Sequence, residues 1–251
     1  MYDGSFFDSI EDYAKSSAAV LYDLLRPLYS FESVVDIGCG NGVWLSVFQE
    51  KGVKTILGVD GSYVDQSQLR IPGESFHPHD LTKPFKLDKR FDLAISLEVG
   101  EHLPAERAAS FVGDITALSD VVLFSAALPG QGGTYHINEQ WPAYWARLFE
   151  QHGYIAFDCF RPKLWNRRDV AWYYAQNIVL YVRPTVLESG RLDAAHLGQK
   201  GIPLSLVHPL LYHFRTEDAG ISSVLRRIPQ LLQRALNKRL KGELLPLPKF
   251  E

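Results

Sequence analysis

The stretch VVDIGCGNG, residues 34–42, reads as the end of a buried strand that breaks into a tight, glycine-lined turn and then enters a helix. Val34, Val35 and Ile37 supply the apolar run. Gly38, Gly40 and Gly42 let the chain turn sharply and let a ligand lie against the backbone, because a Cβ at such positions clashes or forbids positive φ. A dinucleotide fingerprint, GxGxxG, needs a further glycine where Val43 stands, so a nicotinamide-dinucleotide reading is disfavoured.

Outward from this turn the chain alternates short apolar runs with helical spacing. Strands are expected over 33–37, 55–59, 75–79, 91–97, 121–126, 155–160 and 178–182, and helices near 42–50, 104–118 and 139–152. Amphipathic helices are expected ahead of the first strand, from Ile10, Tyr13, Ala14, Val20, Leu21, Leu24, Leu25 and Leu28. The pattern is that of a doubly wound α/β fold with a mainly parallel, seven-stranded sheet. It fades beyond Pro184, so residues 1–184 are read as the core with its N-terminal helices and 185–251 as a partly helical C-terminal extension.

Composition limits what such a fold does. With 251 residues and 46% hydrophobic content the chain can build one sizeable core. Lys+Arg 26 against Asp+Glu 29 gives a formal net charge of -3, which supplies no global attraction to nucleic acid or an anionic membrane. Two distant cysteines, Cys39 and Cys159, form neither a disulfide framework nor a zinc motif. The opening MYDGSFFDSIEDYAKS carries acids where a secretory signal carries basic residues, and no apolar run reaches bilayer length, so a cytoplasmic protein without a transmembrane segment is expected.

Twenty residues beyond Gly40 the second strand ends in Asp60, where a carboxylate can accept two hydrogen bonds from an adenosine ribose diol. A glycine loop followed by an acid at the next strand end resembles the class I, Rossmann-like S-adenosylmethionine-dependent methyltransferases, in order from about 33 to 182. The resemblance implies that Asp36, Gly38, Gly40 and Gly42 hold the methionine part of the cofactor, that Asp60 holds the ribose, and that Gly61 and Ser62 follow as backbone contacts. In HPHDLTKPF, 77–85, it implies that Asp80 accepts from the adenine amino group and that Leu81 lies near the ring, with Leu97 also in the cofactor shell. His77 and His79 read as ordinary loop or core histidines.

FDLAISLEVGEHLP, 91–104, is an apolar strand running into Glu98, Glu101 and His102. In an open α/β sheet the loops at the carboxyl ends of the strands form the ligand crevice. An alcohol accepts a methyl group faster when a base removes its proton or a cation stabilises the developing alkoxide, and these side chains can supply either. Glu-x-x-Glu-His resembles the motif of ubiquinone-type O-methyltransferases and small-RNA 2′-O-methyltransferases, where it holds a divalent metal. A set including His102 suits manganese, iron or zinc better than magnesium.

LPGQGGTYHINEQWPAYWARLFEQHGY, 128–154, places His136 in a flexible loop, with Asn138 read as the cap of the following helix. His136 completes a metal set with Glu98, Glu101 and His102, or acts, like His102, as general base; both alternatives stay open. Trp141 is read as a substrate wall. Arg161, Lys163, Arg167 and Arg168 are read as solvated loop residues or as contacts to an acceptor phosphate or carboxylate. Similarity to class I enzymes of glycan, nucleoside and natural-product pathways implies O-methylation of a small, hydroxylated acceptor. N-methylation of an amino-sugar and metal-dependent RNA 2′-O-methylation are the alternatives, the acidic balance counting against nucleic acid. A basic helical stripe over 222–241 is expected to pack on the domain or form a homodimer.

Overall fold

The computed structural model describes residues 4–216. The chain divides into two compact units, Met1–His208 and Pro209–Glu251. In the first, β1 (Ser33–Ile37), β2 (Thr55–Asp60), β3 (Phe76–Pro78), β4 (Leu93–Leu97), β5 (Val121–Ser125), β6 (Ile155–Asp158) and β7 (Val179–Val182) form one sheet in the order 3-2-1-4-5-7-6. The five strands β1 to β5 are mutually parallel, and β7 runs antiparallel between β5 and β6. A two-residue strand, β8 (Gln199–Lys200), adds an edge beside β6. It is too short to show any alternation in sequence.

The helices are α1 (Gly4–Leu25), α2 (Val43–Glu50), α3 (Ala108–Leu118), α4 (Pro142–Gln151), α5 (Arg161–Leu164), α6 (Trp172–Asn177) and α7 (Pro184–Glu188). The expected N-terminal helices are one helix of 22 residues, α1, which stops ahead of Pro27 because proline disfavours helical backbone in the residue before it. In the second unit the described residues form α8 (Pro209–Thr216). The stripe expected over 222–241 lies outside the described residues.

Side chains one residue apart on a strand point to opposite faces, and β1 shows the consequence. Val34 joins Leu21 and Leu25 of α1 and Leu45 and Phe48 of α2 in one apolar cluster. Val35 and Ile37 join Phe111 and Ile115 of α3 and Phe149 of α4 in the other. Covered on both faces, the sheet leaves its carboxyl edge open. The loops after β1, β2, β4 and β5 emerge there side by side.

Two local signals differ from expectation. Asn138 is not a helix cap: α4 begins at Pro142 behind Trp141, because Pro142 has the φ of a first helical residue and holds Trp141 extended. The Asn138 amide instead reaches the Gly100 carbonyl at 3.4 Å. Arg161 is buried and grips Asp158 through two nitrogens, at 2.8 and 2.5 Å, and Arg167 pairs with Asp169, so neither is a free anion contact.

Gly42 caps α2 in the left-handed region, at φ 84° and ψ 20°, and a Cβ there would lie 2.9 Å from the Ile71 side chain. Gly42→Ala is expected to destabilise the fold by about 1 to 2 kcal/mol, the cost of a left-handed L-residue. Thermal unfolding then shifts down by roughly 2 to 8 °C, at 2 to 4 °C per kcal/mol for a chain of this size. An unchanged midpoint would show that the loop adopts another conformation.

Among the described residues no helix is long and apolar enough to cross a membrane. Cys39 and Cys159 are buried free thiols.

Candidate active site

The glycine turn after β1 borders a cavity of about 300 Å³, lined among others by Glu11, Asp36, Gly38, Gly40, Asn41, Trp44, Leu97 and Tyr174. Gly38 and Gly40 both have positive φ, and a Cβ at Gly38 would lie 2.2 Å from a Val99 methyl. A Cβ at Gly40 would meet nothing within 4 Å, so the backbone itself forms that part of the wall. Burial, and then the charge of Asp60, push the Asp36 carboxyl well above the usual carboxylate range. A carboxyl so placed ionises readily only beside a cation.

Sequence reasoning missed Glu11, Asn41, Trp44 and Tyr174. Glu11 is drawn onto the turn by Arg70, at 2.9 and 3.0 Å, and by the Asn41 amide at 3.3 Å. The Trp44 indole donates to the Tyr174 hydroxyl at 3.2 Å. Asn41 stood inside the glycine turn, but the helix that presents Tyr174 is too short for periodicity to reveal.

Asp60, buried at the end of β2, accepts from the Gly40 amide at 2.7 Å and from its neighbour Gly61 at 2.6 Å, tying the first two loops together. The Tyr63 hydroxyl also donates to it, at 2.5 Å. Ser62 is exposed beside this turn. Asp80 is exposed and closes a turn of its own, accepting from the Thr82 hydroxyl at 2.6 Å and amide at 3.1 Å, and those bonds hold its carboxyl below the usual range. Leu81 is buried.

Beyond β4 the chain makes an unusual turn. Glu98 has φ 56°, and Tyr135 in the facing loop has φ 61°; they are the only described non-glycine residues in the left-handed region. Such strain persists where surroundings over-determine it, and it clusters at functional sites. Glu98 accepts from the Asn177 amide at 3.0 and 3.1 Å and from the Gln131 amide at 2.8 Å.

Glu101 lies in a short 3-10 turn, Gly100–His102, and is completely buried. Neither of its carboxylate oxygens has a hydrogen-bond partner in the protein, although its own amide and that of Ala127 approach closely enough to favour the anion a little. Burial, and then the Glu98 charge, raise its pKa to about 9. The loop after β5 is zipped onto this turn by the Ile137 and Asn138 amides, which both donate to the Glu101 carbonyl at 2.9 and 3.0 Å. That places the His136 ring perpendicular to His102, with centroids 4.8 Å apart.

Glu139 accepts from the Gly130 and Gly132 amides and meets His136 Nδ1 at 3.1 Å, which leaves Nε2 as the outward nitrogen. A Cβ at residue 133 would stand 2.2 Å from that Nε2, so glycine there keeps it uncovered. Burial, and then His136, push the His102 imidazole below its usual pKa.

One ligand atom from each of Glu101, His102 and His136 lies within 4.8 Å of the other two. The expected fourth member, Glu98, is not in this group; the Asn177 and Gln131 amides engage its carboxylate. An orphaned buried carboxylate beside two imidazoles, one oriented through its other nitrogen by a carboxylate, fits a divalent cation. Trp141 is partly exposed at the start of α4, while Trp145 is buried against Phe124 with ring centroids 5.1 Å apart.

The family described as methyltransferase domain matches residues 10–177. No curated protein matches the chain. Among solved structures, the small RNA methyltransferase HEN1 is 18% identical with a TM-score of 0.51, over 68% of this chain and 25% of that one. DesVI of Streptomyces venezuelae is 21% identical, TM-score 0.44, over 53% of this chain and 61% of its own. CalS10, an S-adenosylmethionine-bound amino pentose methyltransferase of Micromonospora echinaspora, is 20% identical, TM-score 0.43, over 51% and 59%. The match thus spans about three fifths of the length of the latter two. A glycine turn, an acid on the next strand and the strand order 3-2-1-4-5-7-6 agree with the family match: the chain belongs to the methyltransferase-domain family, the class I S-adenosylmethionine-dependent methyltransferases.

Proposed function

We propose that this protein transfers the methyl group of S-adenosylmethionine to a hydroxyl oxygen of a small polar acceptor such as a sugar or nucleoside. The reading is carried by Glu101, a fully buried carboxylate without a hydrogen-bond partner, gathered with His102 and His136 at the sheet edge that also carries the glycine turn. A neutral hydroxyl is a poor nucleophile, and this set addresses that difficulty.

In the transfer, the acceptor oxygen forms a bond to the methyl carbon as the carbon–sulfur bond breaks, sulfur leaves with the electron pair as a thioether, and the acceptor's proton passes to a neighbouring base, an imidazole of the site or water. Gly38, Gly40 and Asp36 shape the wall for the cationic cofactor, and Asp60 offers its carboxylate to the ribose. Glu101, His102 and His136 would hold a divalent cation, which supplies Lewis-acid stabilisation of the developing alkoxide. Glu139 fixes the His136 tautomer, so that Nε2 is the nitrogen offered. The mixed nitrogen and oxygen set favours manganese, iron or zinc over magnesium.

A second reading has its own support. The His102 imidazole is held below its usual pKa, hence neutral and ready to take the acceptor proton directly.

The acceptor class is tested by incubating a metabolite extract with cofactor carrying a trideuterated methyl group. The expected product carries the labelled methyl on oxygen. Label found on nitrogen alone would overturn the hydroxyl assignment.

A further inference from the structure

Tyr63 stands in an unusual position for so large an aromatic. It is 83% exposed, yet its hydroxyl donates to Asp60 at 2.5 Å and its ring lies over Gly61, where a Cβ would be 2.1 Å from a ring carbon. An exposed ring gains little from burial, so the hydroxyl contact is its main anchor.

The lone pairs of Asp60 set the consequence. Each carboxylate oxygen accepts about two hydrogen bonds. Oδ1 already takes the Gly61 amide and the Tyr63 hydroxyl, and Oδ2 takes the Gly40 amide. That leaves one free position, on Oδ2, whereas a vicinal ribose diol donates two hydrogen bonds and is best met by one on each oxygen. One present donor must therefore leave Oδ1. The Gly61 amide belongs to the residue next in the chain and cannot withdraw without refolding the turn, whereas the Tyr63 side chain needs only to rotate into solvent.

We propose that Tyr63 is an affinity-setting residue of the nucleoside site, its hydroxyl occupying the place on Asp60 that the cofactor's ribose diol must take. The proposal rests on the reading of Asp60 as the ribose acceptor. Cofactor binding then includes the loss of the Tyr63 to Asp60 hydrogen bond, so the measured affinity is lower than the site would otherwise show. A phenol is protonated throughout the working pH range, so the Tyr63 hydroxyl competes there as a donor to Asp60.

The test is calorimetry of S-adenosylmethionine and S-adenosylhomocysteine with the intact protein and with Tyr63→Phe, which keeps the ring and removes only the hydroxyl. Tyr63→Phe is expected to bind both ligands about tenfold more tightly, the factor that corresponds to removing a competitor of 1.4 kcal/mol. Unchanged or weaker binding of both ligands by a folded Tyr63→Phe protein overturns the proposal. Asp60→Ala separates the two failures: loss of binding there while Tyr63→Phe changes nothing overturns the competition alone, whereas unaltered binding in Asp60→Ala overturns the ribose assignment and the proposal with it. A structure of the complex with the Tyr63 hydroxyl still on Asp60 and the ribose elsewhere gives the same negative answer.

Discussion

Glu101→Gln is expected to lower turnover by about 10²- to 10⁴-fold while S-adenosylmethionine binds as before, the range typical of removing a group that acts on the nucleophile's proton or charge. Glutamine has the shape of the protonated carboxyl, and burial raises the Glu101 pKa to about 9, so the uncharged residue suits the unliganded site and the fold is preserved. The measurement is single-turnover methyl transfer, alongside calorimetry of cofactor binding. Chelation distinguishes the two readings of the chemistry. If a cation is needed, a chelator abolishes turnover and added manganese or zinc restores it in the wild type but not in Glu101→Gln. If His102 acts alone as base, chelation changes nothing and His102→Ala loses roughly 100-fold or more, together with the pH dependence of the rate. Full activity in Glu101→Gln would remove the observation on which the proposed function stands.

Asp60→Ala is expected to weaken S-adenosylmethionine binding by about 2 to 3 kcal/mol, roughly 30- to 150-fold. Two losses combine. The ribose loses a charged, doubly accepting partner, and the Gly40 amide, held at 2.7 Å by the same carboxylate, loses the restraint that keeps the first loop against the second. Circular dichroism of the variant should match the wild type, because the parallel ladder of β1 and β2 does not depend on the side chain. Calorimetry showing wild-type affinity in a folded variant would place the ribose elsewhere in the crevice.

The part of this molecule that could be read from sequence is the part whose physics is local. Positive φ at Gly38, Gly40 and Gly42 is a property of glycine, and an acid ending the next strand needs only a count along the chain. The strands themselves followed from apolar runs of the right length, and their ends differ from expectation by no more than two residues. Where the expectation failed, a neighbour outweighed the residue's own preference. Asn138 has the chemistry of a cap, but Pro142 dictates where the helix can begin.

The candidate chemical site was legible in its residue types and not in its arrangement. Glu98, Glu101, His102 and His136 are all at the carboxyl edge of the sheet, but only three of them converge. Glu98 is held by Asn177, 79 positions away in the chain, and by Gln131, 33 away, and no spacing rule connects those residues. Glu11 and Tyr174 complete the cavity at the glycine turn from opposite ends of the unit for the same reason.

From its sequence alone the chain determined a doubly wound sheet with a glycine turn and an acid at the end of the next strand. The tertiary structure alone decided that Glu101 is buried without a partner, that Glu98 is already satisfied, and that Tyr63 sits on Asp60. Backbone conformation and strand periodicity are encoded in contiguous residues, whereas burial and hydrogen-bond partnership depend on which distant segments the closed fold brings together.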